Sequence, residues 1–329
     1  MRLFPFGLPC VRPSAALVVV CTAAALAGCA PSMRPPAVPA GSTAEPCVPS
    51  GAWVVPASRQ QLTTPEAIDM AVATRVVLLG EEHDRLADHL WQLQTIAALH
   101  GRRQHIVIAL EMFPHTAQPV LDAWVAGALD ESHFLRESGW NTFWRFPADL
   151  YLPIFRFARL NHVPMLALNV SPDLVSRAGK EGWDAVPASE REGLSKPAPP
   201  APAYEKLLTE IYQEHADTRK MGDGTDARGF IAAQLVWDRA FAEGITAAVR
   251  AQPDALLIGL IGSGHLRRRY GVPHQLASLG IDDVTVLLSW PVPGDCNDLV
   301  PDLADAVFGV ESFQESHPPR PLLGVRIEE

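Results

Sequence analysis

This chain lacks most of the short signatures that announce an activity. It has no H-E-x-x-H helix, no G-x-x-x-x-G-K loop and no third glycine to complete a dinucleotide fingerprint. In "IGSGH" Ile261 stands where a nucleophile elbow needs its first glycine, so Ser263 is a poor candidate nucleophile. No internal repeat is visible. Charged residues make up only 19%, and bases are fewer than acids, 27 against 37. The excess of acid repels phosphate backbones and argues against nucleic acid as a partner.

Cysteine is scarce as well, with five in 329 residues. Cys10 and Cys21 fall in residues 1–28, where Arg2 and Arg12 precede the small-residue apolar run "SAALVVVCTAAALAG". That run is too short for a confident membrane span and reads as a secretory signal peptide. It ends in "LAGC", which resembles a bacterial lipobox and makes Cys29 the lipidated first residue of the mature chain. Acyl chains such as palmitate on that cysteine would hold the protein to the membrane, at roughly 0.8 kcal/mol per buried methylene. Ala30 follows, not an aspartate, which favours the outer membrane and a periplasm-facing protein. Without residues 1–28 the chain keeps 25 bases against 37 acids, a net charge of −12. Cys47 and Cys296 are then an even pair in an oxidising compartment, and a disulfide between them is expected.

What is present points to one large α/β domain. Apolar residues reach 48%, enough for a substantial core. Residues 29–49 are rich in Pro, Ala and Ser and read as an extended tether. Residues 50–293 form the expected domain, with the fold starting near Trp53, and residues 294–329 a C-terminal extension. "PLLGVRIEE" within that extension reads as a terminal strand. Five continuous aliphatic runs, at 75–80, 105–110, 163–168, 255–262 and 284–290, suit strands buried on both faces of a mostly parallel sheet. Helical patterns lie between them and flank the sheet. Residues 115–160 form a helical insertion between strands two and three, broken at Gly139 and Pro147.

The chemistry gathers where the strands stop. The first run ends in Gly80, Glu81, Glu82 and His83, and the second in Glu111. The third ends in Asn169, and the fourth in Gly262, Ser263, Gly264 and His265. In open parallel sheets the ligand site lies beyond the carboxyl ends of the strands. Glu81, His83, Glu111 and His265 therefore share one expected cleft, with Asn169 either a member of it or a turn residue.

The stretches "LLGEEHDRLADHLWQLQTIAAL", "IALEMFPHTAQPVLDAWVAG", "WNTFWRFPADLYLPIFRFARLNHVPMLALNV", "AAQLVWDRAFAEGI" and "LIGSGHLRRRYGVPHQL" resemble, in order, the ChaN-like haem-binding lipoproteins. These share a superfamily with Tiki proteases, TraB proteins and erythromycin esterases. The resemblance covers roughly residues 70–290. It implies haem as cofactor, a role in haem and iron uptake, a possible homodimer and a haem-uptake receptor or transporter as partner. Tyrosine is a plausible ligand to haem iron in that family, and histidine is chemically able to serve. Tyr270 and Tyr151 are the first candidates among four tyrosines, followed by His83 and His265. Arg267, Arg268 and Arg269 either meet haem propionates or form a solvated surface. Trp140, Phe143, Trp144 and Phe146 either face a porphyrin or anchor the insertion.

Two functions follow. One is a non-catalytic outer-membrane lipoprotein that binds haem. The alternative is a periplasmic hydrolase, esterase-like or metal-dependent and protease-like, in which Glu81, His83, Glu111 and His265 activate water directly or hold a divalent metal. The haem reading leaves Glu81 and Glu111 without a task.

Overall fold

A computed structural model describes residues 46–218 and 226–311. The signal segment, Cys29, most of the tether and "PLLGVRIEE" lie outside the described residues. Among the described residues eight strands form one mixed sheet: β1 (Trp53–Val54), β2 (Gln61–Leu62), β3 (Val76–Glu81), β4 (Ile106–Pro114), β5 (Met165–Asn169), β6 (Leu256–Gly262), β7 (Val284–Val292) and β8 (Ala306–Glu311). Their order is β2-β1-β8-β7-β3-β6-β4-β5. Strands β3 to β8 run parallel to their neighbours, and only β1 is antiparallel, to β2 and β8.

The helices are α1 (Thr64–Val72), α2 (Leu86–Arg102), α3 (Gln118–Val125), α4 (Glu131–Glu137), α5 (Trp140–Phe143), α6 (Leu152–Leu160), α7 (Pro172–Glu181), α8 (Pro202–Thr218), α9 (Ala227–Ala251) and α10 (Val272–Ser278). Helices α3 to α6 form the insertion between β4 and β5. Gly139 enters α5 with φ 68°, a left-handed conformation that glycine takes without steric cost.

Alternate residues of each central strand face opposite layers. Leu78, Val107, Ile261 and Val286 pack with α7, α9 and α10, whereas Leu79, Ile108, Leu260 and Leu287 pack with α1, α2 and the insertion. Both faces are dry, which is why the strands read as unbroken aliphatic runs. The far edge of the sheet is closed by a side chain. Gln118 Nε2 donates to the Met165 carbonyl and its Oε1 accepts from Ala167 N–H, both at 2.8 Å, so one amide stands in for a missing neighbour of β5.

The domain does not stop at residue 293. Strand β8 lies inside the sheet, parallel to β7 over six residue pairs and antiparallel to β1. Its six residues follow a Pro- and Asp-rich stretch and are too short to be recognised alone; pairing on both sides holds them. Cys47 and Cys296 form a disulfide that ties the strand-β1 entry to this loop. None of the helices among the described residues is long and apolar enough to cross a membrane.

Candidate functional site

Strands β3, β4 and β6 lie side by side and parallel, so their carboxyl ends share one edge. Register pairs Glu81 with Gly262. On β4 the pairing with β5 is irregular between Leu110 and Pro114, which includes Glu111. Asn169 supports this irregular turn: its Nδ2 donates to the Glu111 carbonyl at 2.8 Å and its Oδ1 accepts from Val170 N–H.

Glu81, His83 and Glu111 each turn one ligand-type atom into a space where all three lie within 4.8 Å of one another. His83 Nδ1 is 2.6 Å from Glu81 Oε1 and 3.6 Å from Glu111 Oε1. Glu111 Oε1 also accepts from Gly262 N–H at 2.8 Å. Gly262 is required there, because a Cβ would come within 2.7 Å of His83 Cε1 and 3.6 Å of Glu111 Oε1. Trp144 and Phe146 meet the His83 ring edge-on, with centroids at 4.6 and 5.1 Å.

Both carboxylates are buried, and burial governs their acidity. It pushes Glu111 up to about 7, opposed by the charge of His83 and the Gly262 amide. It also raises Glu81, with the His83 hydrogen bond in opposition. Burial works to lower His83, but the hydrogen bond to Glu81 and the charges of Glu111 and Glu81 prevail and lift it to about 9. At neutral pH the site therefore holds an imidazolium between two acids, one of them near its own titration point.

A layer beneath fixes this arrangement. His89 is buried; its Nε2 lies 3.1 Å from the His83 carbonyl and its Nδ1 3.2 Å from Gln92 Oε1. Asp88 accepts from Glu82 N–H at 2.9 Å and from the Ser289 hydroxyl at 2.7 Å. Ser263 donates its hydroxyl to Glu82 Oε1 at 2.5 Å, which occupies it as a donor.

His265 stands on the 3-10 turn after β6, its Nδ1 2.7 Å from Asp238 Oδ1. Burial works to lower its pKa, and the charge and hydrogen bond of Asp238 outweigh that and raise it. Asp238 comes from α9 and is fully buried. Asp238 lies in the "QLVWD" stretch, where local sequence gives it no role. The available signal was a lone acid on an apolar helix face, which needs a partner.

The structure separates the tyrosines and arginines. Tyr151 is fully buried; its hydroxyl donates to the His83 carbonyl at 3.2 Å, and burial raises its pKa far above the ordinary value. It supports the His83 loop, and its burial keeps the hydroxyl from a ligand. Tyr270 is half-buried, with its ring 6.0 Å from that of Tyr204. Arg267 pairs with Glu82 at 3.3 Å, and Arg268 with Asp302 at 3.4 Å. Arg269 donates to Asp305 and to the Val284 carbonyl, both at 2.7 Å, so it braces β7 and β8. Trp140 is buried and donates to the Phe146 carbonyl at 2.8 Å, whereas Phe143 stays 39% exposed. Trp140 thus anchors the insertion, whereas Trp144 and Phe146 flank His83.

A family model described as haem-binding uptake, Tiki superfamily, ChaN matches residues 67–276. The chain belongs to the ChaN family. A solved structure of cofacial heme binding to ChaN of Campylobacter jejuni has the same fold: TM-score 0.61, 17% identity, 78% of this chain and 95% of that one covered. The type III effector HopBA1 is matched at TM-score 0.43 and 13% identity, over 75% and 92% of the two chains. An erythromycin esterase mutant in its open conformation is matched at TM-score 0.43 and 14% identity, over 73% and 77%. A search of curated proteins finds no match.

Haem needs an accessible axial ligand, apolar walls and cations. The site offers His265, its Nδ1 held by Asp238, the way proteins orient an imidazole toward a metal, whereas His83, held by Glu81 and protonated at neutral pH, would serve only after losing that proton. Trp144 and Phe146 supply apolar surface beside His83, and Arg267, paired with Glu82, an exposed cation nearby. These residues fit the group; Tyr151 and Arg269 do not.

Proposed function

We propose that this ChaN-family chain binds haem at the carboxyl edge of its sheet and serves haem or iron uptake without catalysis. In this reading it is an outer-membrane lipoprotein, held through Cys29 and facing the periplasm. It pairs with a second copy around haem and passes its cargo to an uptake receptor or transporter. The observation that carries the reading is the family match, which spans all four strands whose ends build the cleft. Bound haem would supply an iron centre. His265, His83 or Tyr270 would hold it, and Arg267 would meet a propionate. Hemin titration of the chain started at Ala30, which leaves out the lipidated Cys29, followed by Soret absorbance, should give a saturable shift. Tyr270→Phe or His265→Gln should weaken it at least tenfold, while Tyr151→Phe should leave it within about threefold. No saturable shift in the unmutated chain would end the haem reading.

One observation favours a second reading, a periplasmic hydrolase: ligand-type atoms of Glu81, His83 and Glu111 converge to within 4.8 Å of one another, an expensive arrangement for a haem contact alone. A carboxyl group near neutrality beside a charged imidazole suits general acid–base work on a bound ester or peptide. Glu111→Gln separates the two. Hydrolysis of such substrates should fall on the order of 10²-fold or more, while hemin affinity stays nearly unchanged.

A further inference from the structure

His265 is held more firmly than a surface histidine requires. Asp238 Oδ1 takes its Nδ1 at 2.7 Å, and Asp238 Oδ2 accepts the Tyr204 hydroxyl at 2.9 Å. Tyr204 comes from α8 and Asp238 from α9, and both are buried. Gly271, just beyond the arginine triplet, closes over them. A Cβ there would lie 2.4 Å from the His265 carbonyl, 2.8 Å from Asp238 Oδ1 and 2.9 Å from the Tyr204 hydroxyl. Phe241 and Trp237 meet the imidazole edge-on at 5.6 and 6.5 Å. Two helices and the Gly271 turn therefore fix one ring.

The opposite nitrogen is left free. Among the described residues His265 Nε2 has no hydrogen-bond partner, and it is not sealed from solvent, since the side chain keeps 16% exposure. A buried carboxylate is costly unless its partners use it fully. Asp238 spends one oxygen on tyrosine and the other on the imidazole, and both face inward. A carboxylate on Nδ1 selects the tautomer with the proton there and leaves the lone pair on Nε2.

We propose that Asp238, steadied by Tyr204, is a positioning residue that keeps His265 in the Nδ1–H tautomer and presents its Nε2 lone pair to the cleft. The inference rests on the proposed function only for what that lone pair meets, haem iron or a proton of a bound molecule. The Tyr204 hydroxyl also decides what an amide in place of Asp238 would do. In Asp238→Asn the tyrosine would claim the amide oxygen, so the NH₂ would face His265 and drive the imidazole proton to Nε2.

The test is ¹⁵N–¹H correlation of the imidazoles in the unliganded mature chain, at a pH where His265 is neutral, with His265→Gln giving the assignment. The unmutated chain should show His265 as Nδ1–H and D238N should show it as Nε2–H. D238N/Y204F should regain Nδ1–H, because the amide can turn once the hydroxyl is gone. Hemin affinity should fall at least tenfold in D238N and recover in part in the double variant. Should D238N not fold, Y204F carries the test: the hydrogen-bonded Nδ1 proton resonance should broaden as its carboxylate loses cover, and an unchanged resonance overturns the proposal. An unchanged tautomer in D238N overturns it too. An inverted tautomer with unaltered hemin affinity upholds the positioning role and overturns the reading of His265 as a haem contact.

Discussion

At the scale of single residues, the cleft sets burial against charge. Glu81, Glu111 and Asp88 are carboxylates removed from water, and His83 is the imidazole that offsets two of them. Its folded pKa, about 9, lies above the ordinary 6.5. The stabilisation that accompanies protonation is therefore complete below about pH 6.5 and is lost as pH rises through about 9. Thermal melting of the unliganded chain should fall between those limits, and in His83→Gln that part of the fall should disappear. A melting temperature equally pH-dependent in the variant would place the charge elsewhere.

The same scale shows which residues were legible. Glu81, His83, Glu111 and His265 stand out because polar side chains at the ends of aliphatic runs have few other uses. Asp238 and Tyr204 were not, since their significance depends on α8 and α9 meeting over a strand end 27 or more residues away. Tyr151 misleads from sequence because its surroundings are aromatic. Those rings bury it instead of exposing it to a ligand.

At the scale of elements, the parallel strands carry the site and their edges need protection. The Gln118 clamp on β5 supplies two side-chain hydrogen bonds to an edge that has no strand partner among the described residues. Gln118→Ala should cost on the order of 1–3 kcal/mol in urea unfolding and leave hemin binding intact. A loss under 0.3 kcal/mol would mean that water replaces the clamp without penalty. Helix α1 shows how local rules suffice where they act alone: Thr63 and Glu66 complete a reciprocal capping box, with Pro65 in the first turn. The insertion is the opposite case. Its breaks at Gly139 and Pro147 are readable, but which face of each short helix meets β4 is set by packing around Phe113, Phe134 and Phe155.

At the scale of the whole molecule, the sheet is closed by parts distant in sequence. Strand β8 enters between β7 and β1, and the disulfide joins residues 249 apart. Cross-linking a long loop removes freedom from the unfolded chain, typically worth about 2–4 kcal/mol. The double variant Cys47→Ser/Cys296→Ser should lose about that much in denaturant unfolding, and treatment of the unmutated chain with reductant should reproduce the loss. Equal stability with and without the bond would show that β8 is held by pairing alone.

The sequence by itself determined the class of fold, the parallel strands and the edge at which acids and histidines gather. Each of these follows from local patterns: unbroken apolar runs, a period of side chains, and polar residues where a run stops. Tertiary structure alone decided which of those residues touch. It placed Glu111 on Gly262, set Asp238 and Tyr204 behind His265, withdrew Tyr151 into the core and spent Arg269 on Asp305. It also put β8 inside the sheet. The physical reason is the same in each case. Burial and hydrogen-bond partners across tens to hundreds of residues are properties of packing, and no window of sequence contains both members of such a pair.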